Sequence, residues 1–441
     1  MRRALLGLTG TMLLAQLAGA AAPTGPPADK APRVREISYA WDVIDQSLIR
    51  PPTRMLDPAL AVRTLTGHRR QAENVDGADQ VRLPSTWWQP RLGFRPVSVD
   101  QMLRAAEGAG GPVGAHWTIT KAKTEGVTPG FQIQDERGGK YVIKFDSQAY
   151  PELGTSVDVI GSVLFWAAGY NVPENHIAFF RPESLLIGKD ASYTDEKGHH
   201  HAFTRDYLDH VLSKVARQRD GRFRVLASRY LEGKPIGPFA WEGRRRDDPE
   251  DRIPHELRRE LRGLWIMDAW TNHCDSRQAN TLDTWVTAGG RSFVRHQLLD
   301  FSAILGAGPG KPRSPVSGTE YYVDPLVMSK QFLTLGLAPF PWEAAVVPPI
   351  GSVGWIESAT FDGVHWKPDY ANPTFDERTA RDIRWGARIV AAFTDEHIRA
   401  AVLRGQYSDP RAAEYLTHVL IERRDKIVRA WLGSPPRTAS R

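Results

Sequence analysis

Three short runs, 116–122, 131–134 and 140–145, carry the alternating apolar and polar pattern of strands, and Glu136-Arg137-Gly138-Gly139 between the last two suits a hairpin turn. A twisted antiparallel sheet is expected from them. The period then changes: apolar residues recur at 157, 160, 164 and 168, and Gly169 and Pro173 follow, so the spacing predicts a helix over 155–168. Strand patterns return at 175–180 and 223–230. The charged segment between them contains His199-His200-His201 and reads as an inserted, solvated loop, with metal capture as the alternative, since three adjacent histidines do not all face one ion.

Beyond 230 the pattern is mainly helical. Pro254 opens a helix with Leu257, Leu261 and Leu264 on one side, and Arg258-Arg259-Glu260-Leu261-Arg262 reads as its wet face. Residues 280–286 and 292–299 form a hairpin around Ala288-Gly289-Gly290. The stretches 302–324, rich in Gly, Pro and Ser, and 338–374, rich in Pro and Trp, are loops, and helices are expected over 376–393, 395–404 and 409–432. The fold class that follows is α+β and two-lobed, with an antiparallel-sheet N-lobe over 113–235 and a mainly helical C-lobe over 236–441.

Residues 23–112 form an N-terminal extension, disordered to about residue 35. Its helix at 98–107 is capped by Ser98 and Asp100, and Trp87-Trp88 is expected to pack against the next domain, with carbohydrate or peptide binding as the alternative. Ahead of it, Met1-Arg2-Arg3, an apolar run to Leu17 and Ala18-Gly19-Ala20-Ala21-Ala22 read as a secretory signal over 1–22, cleaved after Ala20 or Ala22, with a membrane-tethering helix as the alternative. Export to the periplasm or the extracellular space is expected, with no integral membrane segment left after cleavage.

Of 441 residues 41% are hydrophobic, enough for one large core or two moderate ones. Cys274 is the single cysteine, which excludes an internal disulfide framework, and it reads as a small buried hydrophobe rather than a nucleophile. The net charge is +6, about +4 without the signal, and mixed in sign along the chain. Nucleic acid is not an expected partner; a monomer is.

The candidate chemistry lies in 272–280 and 298–302. There Asp275, Asn280 and Asp300 offer two carboxylates and an amide carbonyl, with the Arg277 guanidinium between them, donors suited to a divalent cation and a phosphate. The pattern His273-x-Asp275-x-x-x-x-Asn280 repeats the spacing of the kinase catalytic loop, with Cys274 where that loop has arginine, and Asp300-Phe301-Ser302 stands where D-F-G would. Upstream, Tyr141-Val142-Ile143-Lys144 fits the strand lysine of V-A-I-K.

On these residues the chain resembles the protein-kinase-like superfamily, in particular its atypical bacterial branches of HipA-type, CotH-type and lipid-kinase-like proteins. It is also similar to exported bacterial proteins of unassigned function that share the blocks 125–131 and 253–256. The first resemblance implies a two-lobed, protein-kinase-like fold. It also implies ATP or another nucleotide with Mg²⁺ or Mn²⁺, and phosphoryl transfer to an unknown protein or small-molecule acceptor. Asp275 would orient or deprotonate the acceptor, Arg277 would lie near the transferring phosphate, and Asn280 and Asp300 would hold the metal. Lys144 would hold the α- and β-phosphates, and the loop with Gly126 and Gly130 would cover them, an ordinary hairpin turn being the alternative. The acidic partner of Lys144 would be Asp158, or Glu152 if the helix starts earlier; Asp158 equally suits an N-terminal cap. Leu231-Glu232-Gly233 would be the hinge whose backbone receives the base. His273 would be structural. Two other outcomes of the resemblance are a noncatalytic envelope or interaction protein and a nucleotidyltransferase.

Overall fold

The computed structural model describes residues 30–433 except 68, 124–127 and 196–197. The expected signal over 1–22 and Gly126 lie outside the described residues. Three short helices, α1 (Tyr39–Ile44), α2 (Arg50–Met55) and α3 (Pro58–Thr66), come first, followed by α4 (Val99–Glu107). Ser98 closes a capping box on α4, its Oγ accepting from the Gln101 N–H at 3.2 Å while Gln101 Oε1 accepts from the Ser98 N–H at 2.9 Å. The stretch expected to be disordered up to residue 35 is tied down at its end. The Arg35 N–H donates to Ile236 O at 3.0 Å, and the Arg33 N–H donates to Asp247 Oδ2 at 2.8 Å. Trp87 and Trp88 are buried: Trp87 stacks on His296, and Trp88 Nε1 donates to Ala168 O at 2.8 Å.

The N-lobe runs β1 (Trp117–Ala122), β2 (Gly130–Gln134), β3 (Lys140–Phe145), α5 (Leu153–Ala167), β4 (Asn175–Phe180), β5 (Leu185–Thr194), β6 (His200–Ala202), α6 (Arg205–Leu212) and β7 (Phe223–Arg229). Its sheet has the order β4-β7-β3-β2-β1-β5-β6, antiparallel except where β1 meets β5. The segment read as an inserted loop is thus two strands and a helix. Sparse apolar residues in it, Leu185, Ala191, Phe203, Leu208 and Leu212, join Ile119, Phe131, Ile143 and Phe145 in one core on the outer face of the sheet. Strand alternation puts Lys144 on the other face, toward α5.

Helix α5 has thirteen of its fifteen residues buried and belongs to the larger core, shared with the C-lobe. Gly161 permits this closeness, since a Cβ there would fall 2.4 Å from the Cβ of Phe301.

The C-lobe follows with β8 (Lys234–Pro235), α7 (Arg259–Thr271), β9 (Thr281–Ala288), β10 (Arg291–Leu298), β11 (Ala307–Gly308) and β12 (Lys311–Pro312). After them come α8 (Pro325–Leu333), α9 (Pro373–Asp376), α10 (Ala380–Ala391), α11 (Asp395–Leu403) and α12 (Pro410–Leu432). The helix expected over 376–393 begins afresh at α10, where Thr379 and Asp382 form a capping box. The expected wet face of α7 is dry, every residue of the helix being buried. Arg259 Nε lies 2.8 Å and Arg262 Nη1 3.3 Å from the carboxylate of Asp382, Arg259 Nη2 lies 2.7 Å from Asp79, and Arg258 Nη2 lies 2.8 Å from Asp251. Counter-charges from α10, from the N-terminal extension and from Asp251 ahead of α7 make burial of these guanidinium groups tolerable. Among the described residues no helix is long and apolar enough to cross a membrane.

Candidate functional site

Lys144 stands at the centre of a buried charge cluster built by three separate elements. From β3 its ammonium reaches Asp158 Oδ2 of α5 at 3.2 Å and Asp300 Oδ1, just past β10, at 3.0 Å. Asp158 is not a cap. The first turn of α5 is served instead by Asp146, which accepts from the N–H groups of Glu152, Gly154 and Thr155 at 2.8–3.0 Å, and Asp158 lies a turn further on. Glu152, the other candidate partner of Lys144, turns away to Ser408, whose N–H donates to its Oε2 at 2.8 Å. The second oxygen of Asp158 accepts from Asn175 Nδ2 at 2.9 Å and from the Phe301 N–H at 3.1 Å, so one carboxylate fastens α5 to β3, β4 and the segment carrying Asp300.

Burial alone would discharge all three groups, and the cluster works against it. Burial opposes the charge on Lys144, but the fields of Asp158 and Asp300 outweigh it and hold the ammonium protonated. In Asp158 burial prevails over Lys144 and lifts the carboxyl above its ordinary value. Asp300, more open at 38% side-chain exposure, is held well below the usual carboxylate range, because Lys144 and a hydrogen bond from Ser302 outweigh its desolvation. Ser302, standing where the kinase pattern has glycine, steadies that carboxylate: its Oγ donates to Asp300 Oδ1 at 2.5 Å, and its N–H does so at 3.3 Å. Asp300 itself adopts left-handed backbone (φ 57°), which a short polar side chain accommodates.

The second group lies on the loop after α7, which ends at Asn272 in left-handed conformation. Asn280 Nδ2 donates to Asp275 O at 2.8 Å and to Asp275 Oδ2 at 3.1 Å, while Arg277 Nε meets Asp275 Oδ1 at 2.9 Å. The two groups are joined by the β9–β10 hairpin, in which Thr281 pairs with Leu298 and the Leu299 N–H donates to Asn280 O at 2.9 Å. Asp300 therefore follows immediately on the residue bonded to Asn280. His273 packs beneath the loop, Nδ1 3.3 Å from the buried Asp268 and its ring against Phe165 and Phe301. Burial pushes the Cys274 thiol up to about 12.

Arg277 sits differently from expectation. Rather than facing an open phosphate position, it is 4% exposed and lies between Asp275 and Asp42, the latter 3.7 Å away. Asp42 comes from α1, more than two hundred residues earlier, and no local motif in the sequence marks it. Glu232 lies in the connection between β7 and β8, where the lobes meet, but its side chain is exposed and pairs with Arg295 at 2.9 Å. Gly130 faces Lys144 across the β2–β3 pair, and a Cβ there would fall 2.2 Å from Ile143 O. Only glycine fits that approach.

No protein-family model matches the chain, and no curated protein sequence matches it. Solved structures do. Over 69% of its length the chain is similar to 91% of the proinflammatory kinase CtkA of Helicobacter pylori, at 12% identity and a TM-score of 0.37. It is also similar to the Golgi casein kinase with Mn/ADP bound, covering 75% of this chain and 76% of that one at 8% identity and a TM-score of 0.32. A second structure of the Golgi casein kinase aligns over 74% of each chain, at 9% identity and a TM-score of 0.30.

The architecture is α+β, a mainly antiparallel sheet followed by a mainly helical region. A strand lysine paired with a helix carboxylate, a loop carboxylate held by an amide five residues on, and a further carboxylate after the next hairpin occupy one connected region. Its oxygen donors at Asp300 and Asn280, both half-buried, suit a hard cation such as Mg²⁺ or Mn²⁺ better than a soft one. The ammonium beside them offers a positive charge to phosphate oxygens. A small cleft lined by Thr128, Lys144, Asp158, Ser302 and Gly310 opens at this point.

Proposed function

We propose that this protein binds a nucleoside triphosphate together with Mg²⁺ or Mn²⁺ and transfers a phosphoryl group to the hydroxyl of a protein or small-molecule acceptor. The observation that carries the reading is the position of the Lys144 ammonium, 3.2 Å from Asp158 and 3.0 Å from Asp300, the residue directly after Leu299, whose N–H bonds Asn280 O. Phosphoryl transfer asks a protein mainly for positioning and charge compensation, and these side chains supply both.

In this mechanism Asp300 and Asn280 would hold the divalent ion, which would supply neutralisation of charge on the phosphate oxygens. Lys144 exchanges part of its pairing with Asp300 for the α- and β-phosphates while Asp158 keeps its chain extended. The Asp275 carboxylate orients the acceptor hydroxyl and takes its proton. Arg277, backed by Asp42, holds Asp275 Oδ1 in place and acts as a positioning residue.

The test is thermal unfolding with ATP, GTP or no nucleotide, each with and without Mg²⁺ or Mn²⁺, on the wild type and on Asp300→Ala. Ligand at one hundred times its dissociation constant stabilises the native state by about 2.7 kcal/mol. A metal-dependent rise that is absent in Asp300→Ala is the expected result. A folded wild type indifferent to every nucleotide and metal would overturn the proposal. Transfer of radiolabel from the γ- rather than the α-phosphate of ATP then separates phosphoryl from nucleotidyl transfer.

A further inference from the structure

The hairpin formed by β5 and β6 extends the N-lobe sheet at its far edge, and its tip holds a cluster unrelated to the Lys144 region. Strand alternation separates the three neighbouring histidines: His199 and His201 turn to one side, while His200 turns to the other, its Nδ1 3.1 Å from Thr194 Oγ1. On the first side His199 Nδ1 lies 3.3 Å and His201 Nε2 3.0 Å from Asp195 Oδ2, and the three ligand atoms fall within 4.8 Å of one another.

The two separations to Asp195 Oδ2, 3.3 and 3.0 Å, match a particular coordination geometry. Bonds of about 2.0–2.1 Å from a tetrahedral zinc ion to nitrogen and oxygen place neighbouring ligand atoms roughly 3.3 Å apart. The ligands are also held from behind. Asp195 Oδ1 accepts from the His199 N–H at 2.8 Å, which leaves Oδ2 toward the imidazoles, and the His201 ring stacks on Tyr193, itself stacked on Tyr207. Such outer contacts fix ring orientation in metal sites. Two imidazoles and one carboxylate favour zinc or a similar borderline ion over Mg²⁺ or Ca²⁺.

We propose that Asp195, His199 and His201 form a zinc site, with water at the fourth position, that ties the tip of the β5–β6 hairpin. The site stands apart from the region assigned to nucleotide, so either assignment can fail alone. Zinc chloride titrated calorimetrically into the chelator-stripped full chain, without nucleotide or Mg²⁺, tests it. One ion per chain is expected. Asp195→Asn, His199→Ala and His201→Ala each weaken binding about tenfold or more, while His200→Ala and Asp300→Ala leave it unchanged. All the replaced side chains at the tip are exposed to a substantial degree, and an unchanged far-UV circular dichroism spectrum verifies each variant's fold. Absence of stoichiometric binding overturns the proposal. So does equal weakening by His200→Ala, which would mark an unspecific histidine cluster, or loss in Asp300→Ala alone, which would place the zinc elsewhere.

Discussion

Replacing Lys144 with methionine removes one charge of a buried set and leaves its partner behind. Asp158 is 1% exposed, and without the ammonium it keeps only the hydrogen bonds from Asn175 and Phe301. Breaking a buried pair on one side costs about 3–5 kcal/mol. The two surviving hydrogen bonds to the carboxylate put Lys144→Met near the lower end, about 3 kcal/mol. Adding Asp158→Asn removes the stranded charge while keeping an oxygen for both donors, so the double variant recovers about 2 kcal/mol of the loss. The sign with pH is fixed by the Asp158 carboxyl, already lifted above its unfolded value by burial and lifted further once Lys144 is gone. The folded variant then binds a proton that the unfolded chain releases, so its stability falls as pH rises from the unfolded carboxyl value, about 3.9, through the raised one. The deficit against wild type is therefore smaller at pH 5 than at pH 8. Urea denaturation followed by tryptophan fluorescence at both pH values measures it. A single-variant loss under about 1 kcal/mol, or no recovery in the double variant, would refute the pairing argument.

Burial, with Arg404 adding to it, pushes the His176 imidazole down to about 4 from 6.5. Between those values the unfolded chain binds a proton that the native state refuses, so stability falls as pH drops through this window by up to about 3 kcal/mol, and His176→Gln flattens that part of a denaturation-versus-pH curve. Asp382→Ala takes the paired carboxylate from Arg262 and one of two from Arg259, removes the side-chain half of the α10 capping box, and should cost about 3–5 kcal/mol in urea denaturation, with Asp382→Asn milder. Cys274, fully buried with its thiol pushed up to about 12, should resist a thiol reagent at pH 8 in the native protein and react promptly in denaturant. Arg277→Lys, which replaces a planar fork by a point charge between Asp275 and Asp42, should lower kcat for phosphoryl transfer more than it raises KM for the nucleotide in steady-state assays.

What could be read from the sequence was whatever is written locally. Strand alternation put Lys144 and Ile143 on opposite faces, helical spacing marked α5, and the Gly289-Gly290 turn announced the hairpin that brings Leu299 to Asn280. What escaped depends on partners far along the chain. Arg258, Arg259 and Arg262 look like a solvated face because charged runs usually are one, and partners outside the run, Asp79, Asp251 and Asp382 among them, make their burial tolerable. Arg277 was assigned to phosphate because Asp42 lies in a segment with no motif of its own. The β5–β6 hairpin was hidden by charge density, its few apolar residues meeting a core contributed by other strands. In Ser302 the departure from the expected glycine concealed a hydroxyl that holds Asp300.

Helix α5 sets a limit on how such a protein could be regulated. Val157, Ile160, Val163, Leu164 and Phe165 are all 1% exposed or less, wedged between the sheet and the helical lobe. Swinging the helix outward to separate Asp158 from Lys144 would return these five side chains to water at a cost on the order of 10 kcal/mol, as much as the stability of an entire domain. An on–off switch built on rotation of this helix is closed to the molecule. Under the proposed function, control would come from outside the cluster, through the supply of nucleotide and acceptor or through the surface segments at the mouth of the cleft, such as the turn at Gly310 that the Ser147 hydroxyl holds at 2.6 Å.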